Sequence, residues 1–392
     1  MATISDEVKA QVNRMIEVRR DFHRYPELGF QEVRTAGIVA QRLSALGYTV
    51  RTGLGKTGVT GFLEGGKPGK TVLLRADIDA LPIQEQTGAP YASQHAGVMH
   101  ACGHDAHTAM LLAAAEILAG EMRERAGNLF LVFQPAEELL VGAPAMLKDG
   151  ALEGVKADIG FAVHVMNRLP AGTVAVRNGA IMTSADKLEL TVTGRGGHGA
   201  TPHNAIDPVV ATAQIITALQ TLISRETPPL KSAVLSLTML KAGTAFNIIP
   251  DTVEMTGTFR CFDADLRETL LASLTRTAQG VAAALRCTAE VRNEFLTPAV
   301  INDPAVTPIV RDVATRLVGA ERVVEWEPLT GSDDVAYFWQ QVPGCYAFVG
   351  SGKADGSPSP ANHNAKFDID ESAMPIGADL LVQSARRAWE AS

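Results

Sequence analysis

Apolar residues in the first half of the chain fall into short runs, separated by glycine-rich turns and by longer stretches with helical periodicity. Residues 6–47 have the pattern of helix with a break at 23–29, and an alanine-rich run at 107–120 predicts another helix. Short apolar runs predict strands at 48–51, 59–63, 71–75, 128–133 and 159–165. Strands that alternate with helices in this way favour an α/β sheet with helices on both faces.

The pattern changes near residue 186, where regular alternation of apolar and polar residues begins. Residues 187–194 alternate like a half-exposed strand. The elements predicted after it are a helix at 207–225, strands at 232–241 and 252–262, a helix at 264–286 and a strand at 288–295. The order β-α-β-β-α-β describes a small ferredoxin-like α+β module. The pattern then returns to a helix at 304–318, a strand at 344–349 and a final helix from Met374.

Composition indicates a soluble globular protein with more than one domain. A chain of 392 residues is too long for one ordinary core, and 46% hydrophobic with 20% charged residues is typical of that class. The 43 acidic and 35 basic residues give a net charge of −8, which argues against a nucleic-acid or anionic-membrane partner. The apolar run at 109–119 is interrupted by Glu116 and is too short to span a bilayer.

The cysteines are widely spaced and include no C-x-x-C pair; they are Cys102, Cys261, Cys287 and Cys345. A disulfide framework is therefore not expected, and a reducing, cytoplasmic compartment is. Charged residues stand where a secretory leader would need an apolar run, so we expect no signal peptide. Cys102 differs from the other three because His100 and His104 flank it.

Four segments that lie far apart in the chain each carry candidate metal ligands at or just beyond a predicted strand end, where open α/β sheets place their sites. They are Cys102-Gly103-His104, Glu137-Glu138, His164 and His363. Together they supply a thiolate, imidazoles and two carboxylates, enough to hold two divalent ions and to leave one carboxylate as a general base. Each also has an ordinary explanation: a buried thiol, a helix-capping pair, a core histidine or a surface histidine.

Further polar residues end other predicted strands. Asp77 and Asp79 follow an apolar strand, and they either orient metal ligands or cap the turn. Arg260 could clamp a substrate carboxylate, although a surface ion pair is its more common use. The match to G-x-G-x-x-G at 53–58 is rejected because a strand, and not a helix, follows it.

If the candidate ligands meet, the ferredoxin-like module must be an insertion into a discontinuous domain. This predicts a first part of the catalytic domain at 1–185, an inserted domain at 186–296 and a second part of the catalytic domain at 297–392.

The chain closely resembles the aminoacylase/hippuricase branch of the zinc-dependent exopeptidase and amidohydrolase superfamily. The resemblance covers nearly the whole chain, in the order RRDFHRYPELGFQE, LLRADIDALPIQE, HACGHDAHTAML, FQPAEE, GRGGHGATPH, FNIIPD, GTFR, GSDDVAYF and NHNAKFDIDE. It implies a zinc-exopeptidase-like three-layer α/β catalytic domain with an inserted α+β ferredoxin-like domain that serves as lid and dimer interface.

The resemblance also implies roles for individual residues. The dinuclear metal ligands would be Cys102, His104, Glu138, His164 and His363. Glu137 would be the general base, and His198 would reach the partner subunit's active site to stabilise the oxyanion. Asn247 and Arg260 would meet the substrate's carboxylate or the transition-state charge. Two departures are Asp77, where the wider superfamily usually has a metal-binding histidine, and GSDD in place of the commoner GSED.

These features predict a metal-dependent amidohydrolase that cleaves N-acyl amino acids of the hippurate or N-acetyl type to carboxylic acid plus amino acid. The expected cofactors are two divalent ions per subunit, Zn²⁺ or Mn²⁺, with Co²⁺ or Ni²⁺ also admitted by the ligand set. The expected partners are a small-molecule substrate and a second copy of the chain. Alternatives are a metallo-dipeptidase or carboxypeptidase, a thiol hydrolase with Cys102 as nucleophile, and a non-catalytic metal-binding protein.

Overall fold

The computed structural model describes residues 2–390, which form two compact units. Unit 1 comprises residues 2–179, 301–327 and 333–390, and unit 2 comprises residues 180–300 and 328–332. The sequence places the domain boundaries after residues 185 and 296, close to where the chain passes between the units.

The helices are α1 (Asp6–Arg24), α2 (Val33–Ala45), α3 (His104–Ala119), α4 (Gly142–Lys148), α5 (Pro208–Thr221), α6 (Ala264–Ala284), α7 (Thr307–Val318), α8 (Ala336–Trp339) and α9 (Ala373–Glu390). The strands are β1 (Thr49–Leu54), β2 (Gly58–Glu64), β3 (Lys67–Asp77), β4 (Ala126–Gln134), β5 (Ile159–Pro170), β6 (Val174–Ala175), β7 (Gly179–Met182), β8 (Ser184–Thr193), β9 (Gly197–His198), β10 (Ala233–Ala242), β11 (Ile248–Ile249), β12 (Thr252–Cys261), β13 (Thr288–Thr297), β14 (Val300–Asn302), β15 (Val323–Val324) and β16 (Gly344–Gly352).

Unit 1 is built on an eight-stranded sheet in the order β1-β2-β4-β3-β5-β16-β6-β15, with parallel pairs from β4 through β16 at its centre. Successive side chains of a strand point to opposite faces. Val72 and Leu74 therefore enter the core covered by α1, α2, α3, α7 and α9, while Leu73 enters the core on the other face with α4 and α8. Helices on both faces of the sheet confirm the three-layer α/β class.

Unit 2 has the chain order β8-α5-β10-β12-α6-β13 and a four-stranded antiparallel sheet in the order β10-β12-β8-β13. Both helices are capped by the aspartate that precedes them: Asp207 accepts from the Val209 amide and Asp263 from the Leu266 amide, each at 2.8 Å. Their apolar faces pack on one side of the sheet. The ferredoxin-like α+β fold expected for this part of the chain is confirmed.

Helix α3 begins earlier than the sequence predicts, at His104 and not at residue 107. Gly103 precedes it with φ of +93°, a left-handed conformation that glycine adopts without a steric penalty. A Cβ at this position would lie 2.2 Å from Cγ2 of Val165. Backbone conformation and close packing therefore both require glycine at the point where the chain turns into the helix.

All four thiols are free and buried. Within residues 2–390, no helix combines the length and the apolar character that a membrane crossing requires.

Candidate metal centre

The candidate ligands of unit 1 lie close to one end of its central parallel strands. Strand β3 ends at Asp77 and β4 ends at Gln134, three residues before Glu137. His164 lies within β5, opposite Phe348 of β16. The loop that carries His363 reaches the same place, because the His363 amide donates to the Ala101 carbonyl at 2.7 Å.

His104, the first residue of α3, is held with one ring nitrogen unsatisfied. Its Nδ1 lies 3.0 Å from the Asp79 carbonyl oxygen and 3.1 Å from Asp79 Oδ1, so Nδ1 carries the hydrogen and donates. Its Nε2 is buried and has no hydrogen-bond partner. A carboxylate behind one ring nitrogen that leaves the lone pair of the other free is the usual arrangement of a metal-binding histidine.

Cys102 and His164 meet at the side of His104. Nδ1 of His164 donates to the Val165 carbonyl at 2.7 Å, which leaves Nε2 as an acceptor, and Nε2 lies 3.4 Å from Cys102 Sγ. Cys102 and His104 do not belong to one extended segment, because the left-handed Gly103 and the helix start lie between them. The same turn still brings ligand atoms of Cys102, His104 and His164 within 4.8 Å of one another.

Glu137 and Glu138 lie on a single 3-10 turn between two left-handed residues, Ala136 (φ +49°) and Leu140 (φ +56°). The Glu138 amide donates to Asp79 Oδ2 at 3.0 Å, so one carboxylate orients both His104 and this turn. Both carboxylates reach the same space, since Glu137 Oε2 and Glu138 Oε1 each lie 3.8 Å from His104 Nε2.

The Glu138 carboxylate lies between two histidines. Its Oε2 is 3.2 Å from His363 Nε2, and its Oε1 is 3.8 Å from His104 Nε2. Oε1 is buried and has no hydrogen-bond partner. Cys102, Glu138 and His363 form a second group with ligand atoms within 4.8 Å, and His104, Glu137 and Glu138 form a third.

These groups fit divalent metal ions. Two buried electron-pair donors, His104 Nε2 and Glu138 Oε1, face a common space in which no protein donor satisfies them. Buried polar atoms nearly always have a partner, and a cation is the partner that suits two acceptors. A thiolate with imidazoles and a carboxylate is a zinc-type donor set. Because the groups share Cys102, His104 and Glu138, neighbouring ions would share this space.

Glu137 is buried, with 6% of its surface exposed. Burial raises the pKa of its carboxyl well above the usual range, and the negative charges of Asp333 and Glu138 raise it further. A carboxyl group that is desolvated in this way can accept a proton and return it near neutral pH.

His107 is close to the centre but is not available as a ligand. Its Nδ1 donates to Asp77 Oδ1 at 2.6 Å, and its Nε2 accepts from the Val165 amide at 2.9 Å. Both ring nitrogens are therefore occupied, although Asp77, His104 and His107 have atoms within 4.8 Å of one another. His107 ties α3 to strands β3 and β5, and Asp77 supports the centre through it.

A buried charge network that sequence reasoning missed lies beneath Glu137. Arg75 donates to Asp77 Oδ2 at 2.8 Å and to Asp333 Oδ1 at 2.9 Å, and the Tyr346 hydroxyl donates to Asp333 Oδ2 at 2.7 Å. The guanidinium balances carboxylates that could not be buried alone. In the sequence, Arg75 lies in LLRAD and Asp333 in GSDDVAYF. A charged residue beside an apolar run is the sign that could have indicated this network.

The three remaining candidates lie in unit 2. His198 and Asn247 are together: the Gly199 amide donates to the Asn247 carbonyl at 2.8 Å, and His198 pairs with Ile248 across β9 and β11. His198 is exposed, and its Nδ1 accepts from the Ala200 amide at 3.1 Å. Arg260 lies on a different sheet of the unit, β12, where its Nη1 donates to Ser332 Oγ at 2.7 Å.

Comparison with known proteins is consistent with this centre. The model of peptidase family M20/M25/M40 matches residues 73–387. N-acetyl-L-cysteine deacetylase of Bacillus subtilis is 39% identical, over 96% of this chain and 89% of that protein. Thermostable carboxypeptidase 1 of Saccharolobus solfataricus is also 39% identical, over 96% of this chain and 95% of that protein.

Among solved structures, the YXEP protein of Bacillus subtilis, described as a dinuclear metal binding peptidase from the M20 family, superposes with a TM-score of 0.84. The two chains are 35% identical, and the match covers 96% of this chain and 98% of that one. The family resemblance of the sequence is confirmed, and with it the expectation of two metal ions. The chain belongs to peptidase family M20/M25/M40, and it is a metal-dependent hydrolase.

Proposed function

We propose that the chain hydrolyses the amide bond of N-acyl amino acids, of the hippurate or N-acetyl type, to a carboxylic acid and an amino acid. The observation that carries the proposal is the convergence of unsatisfied buried ligand atoms, His104 Nε2 and Glu138 Oε1, beside the buried carboxyl of Glu137. The relative that deacetylates N-acetyl-L-cysteine supports this substrate class over other amides.

The proposed ligands of the two ions are Cys102, His104, Glu138, His164 and His363. The ions, when bound, supply positive charge that polarises the amide carbonyl and acidifies water. We propose Zn²⁺ or Mn²⁺ in the active protein. The thiolate favours zinc, and the carboxylate also admits manganese, cobalt and nickel.

Glu137 is the proposed general base. It takes a proton from the attacking water and returns that proton to the leaving nitrogen, so the same carboxyl serves both halves of the reaction. Its position supports this role, because Glu137 Oε2 and Glu138 Oε1 each lie 3.8 Å from His104 Nε2, while Glu138 also contacts His363. We propose that Asp79 orients His104 and Glu138. Asp77 orients His107, which in turn accepts from the amide of Val165, next to His164.

We propose that the chain works as a homodimer joined through unit 2. Strand β10 is an edge of the four-stranded sheet, and its Met239 and Leu240 are 67% and 56% exposed. An exposed apolar edge strand is suited to pairing with a second copy. His198 of the partner subunit would then stabilise the oxyanion, and Asn247 and Arg260 would bind the substrate carboxylate. Four free thiols are in keeping with a cytoplasmic location.

A carboxypeptidase or dipeptidase activity is the second candidate, and the 39% identity to a carboxypeptidase favours it. Both substrate classes present an amide beside a free carboxylate, so the same centre serves either. A Cys102 nucleophile is disfavoured, because burial raises the pKa of its thiol and the charge of Glu138 raises it further. A nucleophilic cysteine needs the opposite shift.

The test is release of free amine from matched N-acetyl amino acids, N-benzoyl amino acids and dipeptides, with protein stripped of metal and reloaded with Zn²⁺, Mn²⁺ or Co²⁺. The proposal expects the acyl amino acids to exceed the dipeptides in kcat/KM by at least about tenfold. The same substrates with an amidated carboxylate should be poor. Preference for dipeptides would establish the second candidate instead, and release that persists with chelator would contradict both.

A further inference from the structure

Glu32 is a fully buried carboxylate at the start of α2 that does not serve as the helix cap. The first amides of α2 are satisfied by another residue: Glu27 Oε1 accepts from the Arg34 amide and Glu27 Oε2 from the Thr35 amide, both at 2.8 Å. The side chain of Glu32 is turned away from the helix. Its carboxylate is therefore free to form hydrogen bonds outside α2.

The Glu32 carboxylate joins two segments that are distant in sequence. Its Oε2 accepts from the Thr57 hydroxyl at 2.5 Å, and its Oε1 accepts from the Ala136 amide at 2.8 Å. Among the residues that the structure describes, no lysine or arginine forms an ion pair with it. A buried carboxylate is costly unless its oxygens are hydrogen-bonded, and both oxygens of Glu32 are engaged in holding these two segments.

Ala136 is the residue at which the chain enters the turn that carries Glu137 and Glu138. A left-handed alanine is sterically disfavoured and persists only where neighbours fix it. The turn is also tightly folded, since a Cβ at Gly142 would lie 1.6 Å from the Pro135 carbonyl oxygen. Glu32 holds the amide at the entrance of the turn, and Asp79 holds the amide of Glu138.

We propose that Glu32 is a positioning residue, which through the Ala136 amide holds this turn in the conformation that aims Glu137 and Glu138 at the metal centre. The expected effect on kcat rests on the proposed function. The expected effect on Zn²⁺ affinity depends only on where Glu138 is placed, and it can be measured without any substrate.

The decisive variants are Glu32→Ala and Glu32→Gln. Glu32→Ala should lower kcat by about 30- to 100-fold with KM within about threefold of the parent, because a misplaced base slows the reaction more than it weakens binding. In calorimetric titration with Zn²⁺ alone, it should weaken one of the two sites by about tenfold. Glu32→Gln keeps an oxygen for the Ala136 amide and an amide group for Thr57, so it should restore both values to within about threefold.

Glu27→Ala is the matched control, since it removes two hydrogen bonds that the Glu27 side chain accepts from the same helix. It should lower the melting temperature and leave kcat and Zn²⁺ binding within about twofold of the parent. Equal kinetic losses in Glu27→Ala and Glu32→Ala would overturn the inference, because the effect would then belong to α2 as a whole. Parent-like kcat and Zn²⁺ binding in Glu32→Ala would overturn it as well.

Two further outcomes remain decisive. If Glu32→Ala does not fold, Thr57→Val replaces it, because it removes the hydrogen bond from Thr57 to Glu32. The expected loss of kcat is three- to tenfold, about the effect of one hydrogen bond. Unchanged kcat and Zn²⁺ binding in that variant reject the inference.

If the parent binds two Zn²⁺ ions and releases no amine from any substrate, the proposed function fails. The comparison of Zn²⁺ affinities between parent, Glu32→Ala and Glu32→Gln then still decides the role of Glu32.

Discussion

His104 and Glu138 face each other with 3.8 Å between Nε2 and Oε1, and each of these two atoms is buried and has no hydrogen-bond partner. Nδ1 of His104 already donates to Asp79, so Nε2 is the ring nitrogen that faces Glu138. A ligand nitrogen and a ligand oxygen are thus held at close range. A cation in this space stabilises an arrangement that is otherwise unfavourable.

Zn²⁺ should therefore stabilise the chelator-stripped protein. At a free Zn²⁺ concentration of a hundred times the Kd, each site adds about 2.7 kcal/mol to the free energy of unfolding. His104→Ala should lose most of the rise in melting temperature. His203→Ala, which removes an exposed imidazole of unit 2, is the matched control and should keep it. Melting curves with and without Zn²⁺ check this, and an equal rise in His104→Ala would contradict the proposed ligand set.

Asp79→Asn should weaken metal binding without removing a ligand. The substitution replaces one of the oxygens that accept from His104 Nδ1 and the Glu138 amide by a group that donates, so one of these contacts is lost. A loss of about 10- to 100-fold in Zn²⁺ affinity is expected. Asp158→Asn is the control, because Asp158 Oδ2 accepts from the Thr71 amide at a distance from the centre. Titration calorimetry compares the two variants, and equal affinities would refute the orienting role.

The free energy of unfolding should fall as the pH rises from about 6.5 to about 9. Burial alone lowers the pKa of His23, but the hydrogen bond and charge of Asp105, 2.8 Å away, outweigh it and raise the pKa to about 9. A raised folded-state pKa means that the stabilisation is complete below the unfolded-state value near 6.5 and is lost through 9. The predicted loss is about 3 kcal/mol.

Urea unfolding of metal-free protein at a series of pH values measures that slope. His23→Gln removes one of the titrating groups and should reduce the slope between these limits, while His363, whose pKa is also raised, still contributes. A parent protein whose stability is constant or increases over the same range would show that His23 is not protonated in the folded state.

Leu240→Lys on the β10 edge should convert a dimer to a monomer. Charging an apolar edge strand opposes pairing with a second copy. Val33→Lys is the control, since Val33 is 71% exposed but lies in unit 1. Sedimentation velocity distinguishes the species. If His198 acts across the interface, Leu240→Lys should also lose amine release, and an active monomer would rule out that role.

Much of the architecture can be predicted from the sequence because it depends on periodicity. Apolar runs and glycine turns are enough to indicate the α/β layers, and alternation after residue 186 indicates the ferredoxin-like unit. The candidate ligands are also identifiable, since Cys102, His164 and His363 are residue types that bind divalent metal ions. None of these inferences needs a contact between distant residues.

The finer features of the centre depend on such contacts and are not visible in the sequence. His104 and His107 stand in one segment, HDAH, and only the Val165 amide and Asp77 show that His107 has both nitrogens occupied. The left-handed Gly103 is likewise explained by its approach to Val165. Glu32 directly precedes α2, where a helix cap is expected. Its hydrogen bond with the Ala136 amide spans 104 positions of sequence.

The role of Glu137 is decided by metal content and amine release in Glu137→Gln beside the parent, both loaded with Zn²⁺. We expect two bound ions in each protein and a loss of kcat of about 10²- to 10⁴-fold in the variant, because a neutral amide cannot accept the proton of water. Two bound ions with undiminished kcat in Glu137→Gln would contradict the assignment of Glu137 as the general base and the mechanism that depends on it.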